Sequence, residues 1–245
     1  MIAIGKRDFG VLRRRRLTLE DGTPYHKGEW MESGEDANLS PLMFLVEQGP
    51  HTILPSHFHR QNEFQLVVRG DGSFGSHGVN RYALHYAGAY TGYGPIVAGR
   101  EGLAYFTIRA VFETGGFMLP ASRGDMVRGP KRQLFCEPFG AASAQELCRL
   151  DAVGHVEIFT GQPDLLAARR ILIPPGREGF ALDARGSSGV FNIVLAGRIS
   201  YDGGELGELE SVFACADEPP PTFTASDSGA EVLSLRIPPK ALAYR

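Results

Sequence analysis

This chain repeats itself at a fixed distance, and no other feature constrains its fold as strongly. The segment from Phe64 to Gly70 (FQLVVRG) returns from Phe191 to Gly197 (FNIVLAG), and that from Gly102 to Arg109 (GLAYFTIR) returns from Gly229 to Arg236 (GAEVLSLR). Both matches are offset by 127 positions, and in each copy the two anchoring glycines stand 32 residues apart. An equal offset at two separate places means that one strand–turn–strand plan is used twice. The repeated segments are short, rich in β-branched and aromatic residues, and bounded by glycine or proline, which marks them as strands. With 31 glycines and 16 prolines dividing the chain into such pieces, the expected fold class is all-β, two barrels in tandem.

The repeat also sets the expected domain organisation. Residues 1–40 form an N-terminal arm with edge strands, 41–120 the first barrel, 121–154 a linker, and 155–245 the second barrel. Within the arm, Phe9 to Leu19 is strand-like. The arm is expected to cover a sheet edge or to reach across the two-fold interface of a homodimer. The linker holds the best helix candidate, Ser143 to Leu150, where Ser143 and Glu146 have capping-box spacing ahead of Leu147 and Leu150.

Composition narrows the function classes. Hydrophobic residues make up 43% and charged residues 22%, an ordinary globular balance. The net charge of −3 argues against a nucleic-acid binder, whose affinity rests on phosphate neutralisation. No run approaches 18 apolar residues, so no membrane span is expected. Met1 to Gly10 lacks the apolar core of a signal peptide, which points to the cytoplasm. Three cysteines (Cys136, Cys148, Cys215) are too few for a disulfide framework or a cysteine zinc site.

Five of the seven histidines fall between His51 and His85. Strand alternation puts His57 and His59 on one face. The polar stretch Arg60 to Asn62 turns the chain so that the next strand starts at Glu63, whose carboxylate comes back toward the imidazoles. Two neutral imidazoles and a carboxylate suit one divalent ion such as Fe, Mn, Ni or Zn; a pair of satisfied interior histidines is the competing reading. Gln65 shares strand parity with Glu63, and Tyr86 and Tyr93 are further pocket candidates.

These residues resemble the first motif of the cupin superfamily, G-x5-H-x-H-x3,4-E-x6-G. The chain reads His57-x-His59, three residues, Glu63, six residues, Gly70, with His51 in place of the leading glycine. The resemblance implies a bicupin whose first barrel holds one metal through His57, His59 and Glu63 and acts on a small molecule. Dioxygenase-like chemistry is the commonest implication, with isomerase or lyase activity next; Glu63 either ligates or takes a proton. The second motif fits poorly. Aligned on Gly88 to Gly102, its histidine, the family's fourth ligand, falls on Gly102, which leaves three outcomes: a site of two histidines and one glutamate with open positions, His85 or His77 as substitute ligand, or a pocket that binds metal weakly. The offset carries His57, His59 and Glu63 onto Ala184, Gly186 and Val190, so the second barrel is expected to be degenerate and structural. The rival to a metal enzyme is a non-catalytic binding or regulatory cupin.

Overall fold

The computed structural model describes residues 1–31, 41–113 and 115–244. The chain divides into two compact units, one of Asp8–Phe139 with Lys240–Arg245, the other of Gly140–Pro239 with Met1–Arg7. Each is an antiparallel β structure with its own apolar core.

In the N-terminal unit the main sheet orders its strands Gln133–Cys136, Leu84–Ala87, Glu63–Phe74, Ile96–Arg109, Leu42–Gln48, Pro24–Met31 and Arg15–Thr18. A small second sheet pairs His57–Phe58 with Phe117–Met118. Phe44, Val67, Phe74, Ile96 and Tyr105 lead its core. In the C-terminal unit the order is Ile2–Gly5, Ser211–Ala214, Gly189–Tyr201, Thr222–Ile237, Ala167–Ile173 and Gly154–Phe159, around a core that includes Ile171, Val194, Phe223 and Val232. Both strand orders run from one edge strand to another and do not close by hydrogen bonding. Periodicity reports strands and their pairing, whereas closure depends on tilt and stagger that periodicity does not encode.

The 127-residue offset is visible in the register. Gly70 faces Leu103 and Phe64 faces Ile108 in one unit; Gly197 faces Ala230 and Phe191 faces Leu235 in the other. The anchoring glycines stand where two backbones cross. A Cβ on Gly70 would lie 2.0 Å from the Gly102 carbonyl oxygen, and one on Gly197 would lie 2.1 Å from that of Gly229. All four have φ between +73° and +82°, a region open mainly to glycine.

The linker helix forms at Ala144–Cys148, shorter than the spacing suggests, with Ser143 as N-cap and the full capping box to Glu146. Its Leu147 is buried against Gly229. The N-terminal segment differs from expectation: Arg7–Leu12 is helical, and only Arg15–Thr18 of the strand-like stretch is a strand. Gly10 lets that helix lie against the Trp30 ring, which a Cβ would meet at 2.0 Å, so tertiary contact overrides the β-like composition there. Ile2–Gly5 adds itself to the edge strand Ser211–Ala214.

Candidate functional site

His57 is fixed by backbone. It exchanges hydrogen bonds with Tyr93, each residue's N–H donating to the other's carbonyl at 3.0–3.1 Å. The His59 carbonyl accepts from the Tyr90 N–H at 2.6 Å. Both imidazoles are buried, 4% and 7% exposed, and meet edge to face with ring centroids 5.2 Å apart. The Pro55 carbonyl lies 2.8 Å from His57 Nδ1. A carbonyl only accepts, so the proton sits on Nδ1 and Nε2 keeps its lone pair. Burial, reinforced by neighbouring His59, pulls the His57 pKa down to about 4, so this ring is neutral near pH 7.

Glu63 is 1% exposed and faces a cation as deeply buried as itself. Its Oε2 accepts from Arg109 Nε at 2.8 Å and Nη2 at 2.7 Å. Burial pushes the carboxyl upward, but His59 and Arg109 outweigh it and hold the pKa at about 2. His59 lies between two carboxylates, with Nε2 3.9 Å from Glu63 Oε2 and Nδ1 3.4 Å from Glu113 Oε2. Glu113 is held in turn by the Arg60 N–H.

His57, His59, Arg109 and Glu113 line a cavity of about 100 Å³ together with Lys27, Phe44, Tyr105, Thr107 and Met118. Gly116 caps it, since a Cβ there would stand 3.1 Å from His57 and 3.3 Å from His59. Of the residues singled out from sequence, His57, His59 and Tyr93 line the cavity, and Glu63 reaches it through His59 and Arg109. Gln65 stands behind Tyr93, donating from Nε2 to the hydroxyl at 2.8 Å. His85 is buried behind Gln65, with Nδ1 2.5 Å from Gln65 Oε1 and Nε2 3.1 Å from Gln133 Oε1; burial lowers its pKa to about 4. Tyr86 packs on Phe64, and exposed His77 stacks on Phe135; neither lines the cavity.

The alignment of the second motif is corrected. Gly102 sits at the backbone crossing, where a Cβ would meet the Gln48 carbonyl oxygen at 2.7 Å, and is not among the cavity residues. The same strand instead presents Tyr105, Thr107 and Arg109 at alternate positions. Their parity was readable, since Thr107 pairs with Gln65. Lys27 and Glu113 carried no sequence signal, because tertiary structure alone brings them here.

A metal fits these residues poorly. Among the described residues, no group of three His, Cys, Asp or Glu side chains is arranged to hold an ion. The carboxylate of the sequence motif already accepts two charge-assisted hydrogen bonds from Arg109 on one oxygen, and the guanidinium brings a fixed positive charge that opposes a divalent cation. The other oxygen, Oε1, is buried without a hydrogen bond.

Solved structures with this architecture include pirin YhhW from Escherichia coli in complex with nickel(II), 13% identical, covering 98% of this chain and 100% of that one at a TM-score of 0.62. The oxalate decarboxylase of Lactobacillus farciminis in a formate complex is 11% identical over 95% of this chain and 86% of that one, at a TM-score of 0.60. The fold is shared with both of these proteins. A candidate dioxygenase from Nostoc punctiforme shares it too, with a TM-score of 0.56 and 13% identity over 99% of this chain and 80% of that one. No protein-family model and no curated protein sequence matches the chain. Among the described residues no helix is long and apolar enough to cross a membrane.

Proposed function

We propose that this chain is a bicupin, working as a cytoplasmic homodimer, whose N-terminal unit binds a small polar molecule between the imidazoles of His57 and His59 and the Arg109 guanidinium. The C-terminal unit is degenerate and structural. The buried Arg109–Glu63 pair carries this reading: a permanent cation sits where the cupin motif's carboxylate would otherwise meet a metal. His57 offers an unprotonated Nε2, Tyr93 is held by Gln65, and Arg109 keeps N–H donors beyond those given to Glu63. A cavity of about 100 Å³ is smaller than the engineered 150 Å³ cavity that accepts benzene, so the ligand has only a few non-hydrogen atoms. His59, flanked by Glu63 and Glu113, is placed to hold or pass a proton on such a ligand.

The metal-dependent reading, with dioxygenase-like, isomerase or lyase chemistry, keeps one favourable observation. His57 is held neutral with a lone pair available, the form in which imidazole ligates. The nickel(II) complex of pirin YhhW accords with it. One experiment separates the two: elemental analysis of untagged protein, followed by titration with Fe, Mn, Ni and Zn salts and with small carboxylates. Carboxylate binding by metal-free protein supports the binding reading; one tightly held metal per chain, lost in a His57→Ala/His59→Ala variant, replaces it with the enzyme. The dimer is tested by light scattering, where a strict monomer would remove that part.

A further inference from the structure

Four lysines occur in the chain, Lys6, Lys27, Lys131 and Lys240, and Lys27 is the one that lines the His57–His59 cavity. The strand Pro24–Met31 carries it, and its side chain is 18% exposed. The Nζ lies 3.9 Å from the centroid of the Phe44 ring, with Glu29 Oε1 3.6 Å away. That carboxylate oxygen already accepts from Arg15 Nη2 at 2.9 Å.

Two further cations bear on this amine. Arg15 is its cross-strand partner where Arg15–Thr18 pairs with Pro24–Met31, and like charges placed opposite one another repel. The Arg109 guanidinium stands over the same Phe44 ring, 5.8 Å from its centroid. Burial first, with Arg15 and Arg109 adding to it, lowers the Lys27 pKa against the opposing pull of Glu29. A desolvated lysine beside other cations is an amine prepared to attack a carbonyl carbon. The rest of the wall suits such a substrate. Arg109 keeps N–H donors for a carboxylate. Burial holds the Tyr93 and Tyr105 phenols protonated, so that their hydroxyls can donate to an oxygen. His59, with Nδ1 3.4 Å from Glu113 Oε2, is placed to move a proton.

We propose that Lys27 captures a small 2-oxo acid as an imine, with the acid's carboxylate held by Arg109 and its carbonyl carbon presented to Nζ. This rests on the reading of the cavity as a site for a small polar molecule, and it names the class of that molecule and the reaction it undergoes. The Nζ lone pair forms a C–N bond with the carbonyl carbon as the C=O π pair moves onto oxygen. Both amine protons then pass to that oxygen, which leaves as water, so amine and oxo acid are balanced by imine and water. The test incubates the intact protein with glyoxylate or pyruvate and sodium cyanoborohydride, which reduces an imine to a stable secondary amine, and maps the modified lysines by peptide mass spectrometry. Acetate, a carboxylate without the carbonyl, serves as competitor and is titrated separately by calorimetry. Lys27 is expected to be labelled about tenfold or more faster than Lys6, Lys131 and Lys240. Excess acetate should slow that labelling, and Lys27→Met, with folding checked by circular dichroism, should leave only the slow background. Acetate binding without faster labelling of Lys27 would overturn the imine and leave the polar-ligand reading standing; neither binding nor selective labelling would remove both. Fast labelling of Lys27 that acetate does not slow would also overturn the proposal.

Discussion

Arg109 is the residue on which the chemistry of the first cavity turns. It stands 46 positions from Glu63, so nothing near the histidine motif announces it. The motif was legible because four identities fall within fourteen residues of one local stretch; the partner was not, because only pairing of the strands Glu63–Phe74 and Ile96–Arg109 brings it close. Removing one member of a buried pair leaves the other charge uncompensated, so Arg109→Ala should cost about 3–5 kcal/mol in urea unfolding. A divalent cation can then take over the vacated charge role beside Glu63, His57 and His59. Addition of Ni or Zn should therefore raise the melting temperature of Arg109→Ala and leave wild type unmoved. Equal metal response in both proteins would show that the guanidinium does not govern metal binding.

A second prediction at this scale concerns protons. His57 and His85 titrate near 4 when folded and near 6.5 when unfolded. Between those values the unfolded chain binds more protons, so stability is complete above about pH 6.5, falls as the pH drops toward 4, and levels off below. Glu63, held at about 2, contributes stability that is full above about 4.5 and is lost progressively as the pH falls from there through 2. Unfolding free energy should thus decrease by roughly 2–4 kcal/mol from pH 7 to pH 5, with both imidazoles contributing. A flat profile over that range would mean that the rings accept protons without cost.

Among the elements, the paired long strands owe their geometry to four glycines. The cupin resemblance makes Gly102 a vacant ligand position, but its φ of +82° and the nearby Gln48 carbonyl give it a backbone role. Gly102→His should lose stability, by about 2 kcal/mol or more, with no gain in metal affinity by calorimetry. Tighter metal binding by that variant would restore the original alignment. The helix Ala144–Cys148 was legible from two residues because a capping box is a local device. Ser143→Ala should cost about 1 kcal/mol by chemical denaturation. The helix Arg7–Leu12 was not legible, since its packing against Trp30 is a long-range contact.

For the whole molecule, one plan yields two interiors of different character. The positions equivalent to His57 and Glu63 are Ala184 and Val190, which pack with Ala167 and Leu182 into an apolar cluster. Gln65 and Thr107 correspond to Asn192 and Ser234, and Ser234 Oγ donates to Asn192 Oδ1 at 2.7 Å. Arg109 corresponds to Arg236, which donates to the carbonyls of Leu165 and Asp183 instead of a carboxylate. The C-terminal unit therefore fills its own interior. Small carboxylates that enter the His57–His59 cavity should bind once per chain in calorimetry, and His57→Ala should abolish that binding; a second equivalent that survives the change would give the C-terminal unit a site of its own.

The sequence by itself determined the β class, the repeat, the capped helix and the pair of neighbouring histidines. Each of these is written in local spacing or in a periodicity that the backbone must obey. Tertiary structure alone decided that Arg109 lies on Glu63, that Glu113 and Lys27 reach the cavity beside them, and that Gly102 serves a backbone crossing. Those contacts join residues far apart in the chain, and no local pattern specifies which distant side chain will share a buried space with a given charge.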